Sequence, residues 1–392
     1  PLEVLLIEKN NGLGKKVLIA GGGRCNLTTG TQDVRQALTN YPRGKAFLLS
    51  AMHRFSPKDV YDWFEAHDVP LKIEEDGRVF PQSDTGRDVV GVFERLFSED
   101  DRAQVLLNTQ VERIEREGSM FCLRLKGSAE AIRADVVVLT TGGQAYRHTG
   151  STGDGYAFAQ HLGHGLTPLA PSLNAFFTQE SWVREISGVS FASATITAHR
   201  AGTPSRTGSF MFTHKGITGP AVFALSSKIA FETYDATHPL AITIDLLPDL
   251  SEQTLIERIE HLRHLHPKKS LENLFSLLVP KSLAAIMCER IELDPTLFPA
   301  DLRKEEMRRI ANWMKSAPLT VVARGAGDEF VTAGGVPLNE VDPSTMESTM
   351  CPGLFFAGEI LDIDGFTGGF NLQASWATGR AAGLALVKRN SL

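Results

Sequence analysis

Residues 352–383 read PGLFFAGEILDIDGFTGGFNLQASWATGRAAG. Leu354, Phe355 and Phe356 form a short apolar run that fits a buried strand. Gly358 and Glu359 end it, and a glycine-rich loop follows through Gly365, Gly368 and Gly369. Asn371 is a good N-cap residue, so a small-residue helix is predicted to open there and run toward Leu386. A carboxylate at a strand end accepts hydrogen bonds from hydroxyl groups. A bare helix N-terminus presents free N–H groups and partial positive charge, and glycines let backbone approach a flat ligand. Together these suit a large cofactor with hydroxyls and developing negative charge, such as FAD. They equally suit an ordinary strand–loop–helix closing an α/β domain, and the residues of this stretch leave both readings open.

The rest of the chain narrows the choice. Its 392 residues are enough for two or three domains. The 42% hydrophobic and 22% charged content is that of a soluble globular protein. The formal net charge is -6 with no basic block, which argues against a nucleic-acid partner. Cys25, Cys122, Cys288 and Cys351 form no CxxC pair and no His/Cys metal spacing, so no metal and a reduced, cytoplasmic setting are expected. No apolar run is long enough to span a bilayer, so no membrane partner is expected.

Val4-Leu5-Leu6-Ile7 reads as a strand ending at Glu8. It is similar to the second strand of a dinucleotide-binding fold, whose terminal acid holds the adenosine ribose. In that fold a GxGxxG turn precedes the acid by about 20 residues, and only seven residues precede Glu8 here. Gly21-Gly22-Gly23-Arg24-Cys25-Asn26 lacks the third glycine. The expectation is therefore either a first strand and turn upstream of Pro1, or a failure of the likeness at that element. The GGGRCNLT loop suits a phosphate or flavin-edge contact and also a plain turn.

Residues 45–55 read as a helix, and Ser56-Pro57-Lys58-Asp59 as the capping box of the next. Asp76-Gly77 signals a hairpin, and Val89, Val90, Phe93, Leu96 and Phe97 mark another helix. Two strands are expected within 104–125 and a buried one at 136–139. Gly142 and Gly143 follow it, and 146–155 leads into a helix that Asp154 is expected to cap. Composition shifts at 168–171. Residues 173–247 then read as short β-rich runs, interrupted by FTHKGITGP as a loop. Residues 251–315 read as helical, and 319–322 as strand.

On the segments LIEKNNGLGKKVLIAGGGRCNLT, TTGGQAYRHTGSTGDGYAFA, FTHKGITGPAVF, TAGGVPLNEVDPSTMES and PGLFFAGEILDIDGFTGGFNLQASWATGRAAG, the chain resembles a bacterial flavoprotein family. Its members are variously called aminoacetone oxidases or NAD(P)/FAD-dependent oxidoreductases, and include bile-acid 4,6-reductases. The resemblance implies an α/β fold with a discontinuous Rossmann-like FAD-binding domain, residues 1–168 and 330–392. It implies an inserted β-barrel-like domain at 169–249 and 317–329, and a small helical domain at 250–316. Glu8 would hold the adenosine ribose, and Gly21, Gly22, Gly23, Arg24, Cys25 and Asn26 would run along the pyrophosphate and ring. Val111 would meet adenine through its backbone, and Gly142 and Gly143 would allow close approach. Gly358 and Glu359 would sit at the ribityl chain. Gly369 would border the cofactor, and Asn371 and Leu372 would bring N–H groups to the pyrimidine edge of the flavin, where a helix N-terminus stabilises negative charge.

His214 is the leading proton-donor candidate, since imidazole suits proton transfer near neutral pH. A structural loop histidine is the alternative. Arg24 suits an anionic substrate group, the pyrophosphate, or a structural ion pair. Tyr146 and His148 flank a glycine turn, and Cys25 reads best as a packed thiol. The function implied is an FAD-dependent oxidoreductase acting on a small or flat organic molecule, either an oxidase or a reductase fed by NAD(P)H. A non-catalytic flavin-binding or regulatory protein is the alternative.

Overall fold

The computed structural model describes residues 2–325 and 330–390. They fall into two compact units, Pro1–Ser172 with Glu329–Leu392, and Leu173–Asp328. The domain boundary expected at 329 lies outside the described residues.

The first unit is α/β. Val4–Ile7 pairs in parallel with Ala103–Leu106, and Val137–Leu139 pairs in parallel with Leu354–Phe356. Parallel partners need long crossovers, and helices fill them. Ser56 Oγ accepts from Asp59 N at 3.2 Å while Ser56 N donates to Asp59 Oδ2 at 2.8 Å, so the capping box starts the helix Pro57–Glu65. Thr85 opens the helix Gly86–Glu99 by accepting from Arg87 N. Val60, Phe64, Val89 and Val92 from these two helices bury one core with Cys25 and Leu27. Asp76-Gly77 turns Leu71–Ile73 back onto Arg78–Pro81 as expected from the dipeptide.

Several expectations are corrected. The stretch 104–125 holds three strands, Ala103–Leu106, Val111–Glu117 and Met120–Leu125. The last two form a hairpin whose turn carries Gly118 at φ +64. Val138, expected buried, is 36% exposed, because only alternate residues of Val137–Leu139 face the core. Asp154 is not a cap. Gly153, at φ +87, holds that position, and Asp154 lies in the first turn of Asp154–His161, paired with Lys9 at 2.6 Å. Asn371 is not a cap either. The last helix, Phe370–Arg389, begins after Gly369. It turns Gln373 inward together with Ala374, Ala377, Thr378, Ala381 and Ala382, the last five being small side chains that let it lie close to its neighbours.

The second unit is a closed six-strand barrel with a helical segment. Around it run Phe176–Thr178, Gly216–Thr218, Ser205–Thr213, Ser190–Ala198, Leu240–Asp245 and Ala317–Arg324, which returns to the first. Every pairing is antiparallel. Closure leaves no unpaired edge. Ile196, Phe210, Phe212, Ile217, Leu240 and Val321 fill the core. The helices Glu252–Leu265, Leu271–Phe275, Lys281–Arg290 and Lys304–Lys315 lie between the last two strands in sequence and share that core through Leu255, Ile259 and Ile310. FTHKGITGP, expected as a loop, is mostly regular. Ser205–Thr213 and Gly216–Thr218 form a hairpin turning at His214-Lys215, and Pro220 begins the helix Pro220–Lys228. Gly216 makes this possible: at φ +154, a β-carbon there would overlap the Phe176 carbonyl of the neighbouring strand.

Candidate cofactor site

The two glycine loops meet. Asn26, in the amide orientation that suits both neighbours, accepts from Gly369 N at 2.9 Å and donates to Thr28 O at 3.2 Å. Thr28 Oγ1 donates to buried Gln373 Oε1 at 2.6 Å, and Trp376 Nε1 donates to Leu27 O at 3.0 Å. The GGGRCN loop is thereby joined to the first two turns of the last helix. Gly369 sits at φ +88, and a β-carbon there would lie 2.1 Å from Thr28 O, so no side chain fits. No side chain caps the helix, which leaves its first-turn N–H groups for a ligand. Asn371 turns back instead: its Oδ1 accepts from Gly365 N and its Nδ2 donates to Gly365 O, both at 2.8 Å. Tyr41 donates to Phe370 O at 2.6 Å. Gly21 and Gly22 lie at φ +58 and +72. A β-carbon at Gly21 would crowd Asn26 N at 2.9 Å, whereas Gly22 faces open space.

Glu359 is held from two sides. Its Oε1 accepts from Thr332 N at 2.8 Å, and its Oε2 pairs with Lys16. A β-carbon at Gly143 would lie 2.5 Å from Thr332 Oγ1 and 2.8 Å from Glu359 Oε1, so glycine is required there too. Gly142 takes φ +71 beside Ser151. Gly358 N donates to Thr378 Oγ1 at 3.0 Å. At the other strand end, Glu8 Oε1 accepts from Asn10 N and Nδ2, both at 2.8 Å. Asn10 Nδ2 also donates to Thr149 O, tying this acid to the 146–154 turn. Val111 begins its strand opposite Leu125.

Asp364 is fully buried, paired with Arg43, and accepts from Ser172 Oγ at 2.8 Å. Asp362 differs. Burial pushes its carboxyl above the usual range, nearby Asp364 adds to this, and Thr167 and Arg43 oppose it. Its Oδ1 is buried with no hydrogen-bond partner.

The catalytic candidates sit in contrasting places. Arg24 is engaged by Asp84 at 2.7 Å, by Glu74, and by the Phe80 face at 3.9 Å, so a substrate role would require displacing a carboxylate. His214 is exposed at its hairpin turn. His148 is exposed, edge-on to Tyr146. Cys25 is buried at φ +61, and burial pushes its thiol up to about 12, which keeps it protonated and inert. Sequence reasoning gave no role to Lys16, Asn10 or Thr332. The nearest signal was a lysine pair just ahead of a glycine loop. Among the described residues no cluster of His, Cys, Asp or Glu could hold a metal, and no helix is long and apolar enough to cross a membrane.

The residues fit FAD. An uncapped helix start, an open glycine at Gly22, strand-end acids at Glu8 and Glu359, and an orphaned acceptor at Asp362 Oδ1 match a ligand with an electron-rich ring, phosphates and hydroxyls. Fold and site define a Rossmann-type, FAD-dependent oxidoreductase. The chain belongs to the HI0933-like Rossmann-domain family, whose profile it matches over residues 1–385. It is 28% identical to a 3-dehydro-bile acid delta(4,6)-reductase of Clostridium scindens, covering 99% of this chain and 93% of the relative. It is 30% identical to a ribosomal RNA dihydrouridine synthase of Escherichia coli, again covering 99% and 93%. A solved quinol:fumarate reductase of Escherichia coli is similar over 100% of this chain and 70% of that one, at 17% identity and a TM-score of 0.47.

Proposed function

We propose that the protein is an FAD-dependent reductase that saturates a carbon–carbon double bond conjugated to a carbonyl, in a flat ring of a small molecule. One observation carries this reading. Relatives of two different names, aligned over nearly the whole chain, imply the same bond chemistry. A 3-dehydro bile acid with a delta(4,6) system has ring double bonds conjugated to a ketone. Dihydrouridine is uridine reduced at a ring double bond conjugated to a carbonyl.

FAD, when bound, supplies hydride transfer, with NAD(P)H as the electron source. The protein's residues do the rest. The start of Phe370–Arg389 offers N–H groups of Asn371 and Leu372 to the electron-rich edge of the ring, with Gly369 clearing the approach. Glu8 accepts from the hydroxyls of the adenosine ribose and Glu359 from those of the ribityl chain. Val111 meets adenine through its backbone, and Gly142, Gly143 and Gly358 keep side chains out of the cradle. The setting is the cytoplasm.

The dihydrouridine synthase, at 30% identity, favours a second reading in which the reduced ring is uracil within RNA. The net charge of -6 weighs against an extended phosphate-binding face. One experiment separates the readings. The flavin is reduced anaerobically with NADPH or NADH. A 3-oxo-delta(4,6) steroid, undermodified ribosomal RNA, or oxygen is then added, and flavin absorbance is followed. Reoxidation by the steroid with loss of its enone absorbance supports the first reading. Reoxidation by RNA with dihydrouridine formed supports the second. Rapid reoxidation by oxygen alone would overturn both in favour of an oxidase.

A further inference from the structure

Lys16 lies on the short helix Lys15–Ile19, just ahead of the GGGRCN loop. Its ammonium pairs with Glu359 Oε2, at side-chain exposures of 30% and 16%. The opposite oxygen, Oε1, accepts from Thr332 N at 2.8 Å. Thr332 is fixed in turn, because its Oγ1 accepts from Gln144 N at 2.7 Å and Ala145 N at 3.2 Å. Three segments distant in sequence therefore converge on one carboxylate. A carboxylate has about four lone-pair sites. Thr332 and Lys16 occupy one on each oxygen, which leaves one on each for a ligand.

We propose that Lys16 is a positioning residue of the cofactor site, holding the Glu359 carboxylate in the orientation that receives the hydroxyls of FAD and offsetting its charge. This rests on the assignment of Glu359 to the cofactor. Charge makes the lysine necessary as well as geometry. FAD brings an anionic pyrophosphate, and an unpaired carboxylate in a partly dehydrated cradle repels it. With Lys16 in place, Glu359 contributes acceptors without a net negative charge. Thr332 N, a neutral donor on one side only, leaves the carboxylate free to swing toward water.

The test is FAD titration, followed by flavin fluorescence, into the flavin-stripped full chain and its variants Lys16→Met, Lys16→Arg, Glu359→Gln and the double variant Lys16→Met/Glu359→Gln. The melting temperature of each flavin-free form is measured alongside. Loss of a charge-assisted hydrogen bond predicts FAD binding weaker by about 10- to 100-fold in Lys16→Met. Lys16→Arg should restore most of it. The double variant should bind no worse than the weaker single variant, because both changes remove the same contact. The proposal is overturned if Lys16→Met binds FAD normally, or if the two losses add. It is also overturned if Lys16→Arg fails to rescue while the melting temperature falls in step with affinity. A wild-type chain that binds no FAD would overturn the cofactor reading itself, a result distinct from additive losses in a chain that does bind it.

Discussion

His164 is held at both ring nitrogens. It is 4% exposed, with Nδ1 2.9 Å from Glu340 Oε2 and Nε2 2.8 Å from Ser348 Oγ. Ser348 Oγ already accepts from Met350 N and Cys351 N, so its own proton goes to the imidazole. Nε2 is then the acceptor and Nδ1–H the donor, which is the neutral tautomer. Burial depresses the His164 pKa, and Glu340 opposes this without reversing it. A depressed histidine means that the unfolded chain binds more protons, so stability rises with pH in this window. The contribution is complete above the unfolded value, about 6.5, and is lost as pH falls through the folded value. Denaturation midpoints of wild type and His164→Gln between about pH 5 and 8 should show it. The variant should be less stable at the upper end and should have the flatter pH profile; equal slopes would remove His164 as the source. The cysteines give a second check at this scale. All four are buried, and burial pushes the Cys288 thiol up to about 11, as it does for Cys25. None should react with a thiol reagent at mildly alkaline pH in the native state, and all should react in denaturant. Prompt native reaction at Cys25 would contradict its packing.

At the scale of elements, the last helix carries its own control. Gly369 must be glycine because its φ is +88 and a β-carbon would overlap Thr28 O. Gly379, ten residues further along the same helix, has open space where a β-carbon would go. Gly369→Ala should therefore destabilise the protein by more than about 2 kcal/mol and release FAD, since left-handed strain alone costs about 1–2 kcal/mol before any overlap. Gly379→Ala should stabilise by up to about 1 kcal/mol, the helix-propensity difference. Chemical denaturation of both variants checks this, and similar losses in the two would show that the helix start is not constrained by the GGGRCN loop. The hairpin turning at His214 makes a separate point. An exposed turn tolerates substitution, so His214→Ala should keep fold and flavin. If it supplies the proton, the substrate half-reaction should slow by about 10²- to 10⁴-fold; an unchanged rate would leave His214 without a part in the chemistry.

At the scale of the whole molecule, the second unit is one continuous segment, Leu173–Asp328, whose barrel closes on itself and whose helices share its core. A unit with its own core folds alone. The isolated segment should show a cooperative thermal transition and β-rich circular dichroism, and a non-cooperative melt would contradict its independence. Much of this molecule was legible in the order of residues. Ser56-Pro57-Lys58-Asp59 marked a helix start and Asp76-Gly77 a hairpin, because caps and tight turns depend on groups within about four residues of one another. The glycine runs and strand-end acids left a cofactor cradle and an ordinary strand–loop–helix both open, since each is a local requirement of backbone or charge that either arrangement meets. Tertiary structure alone decided the remainder. Asn371 has every attribute of an N-cap, yet the helix starts at Phe370 because Thr28, remote in sequence, occupies the space beside Gly369. FTHKGITGP has the composition of a loop, yet it is a hairpin because Gly216 lets the backbone of Phe176 come close. Lys16 and Glu359, 343 positions apart, carry no mark of each other. Opposite charges do not encode their partner, and only the folded backbone brings that lysine, Thr332 and Gly143 to one carboxylate.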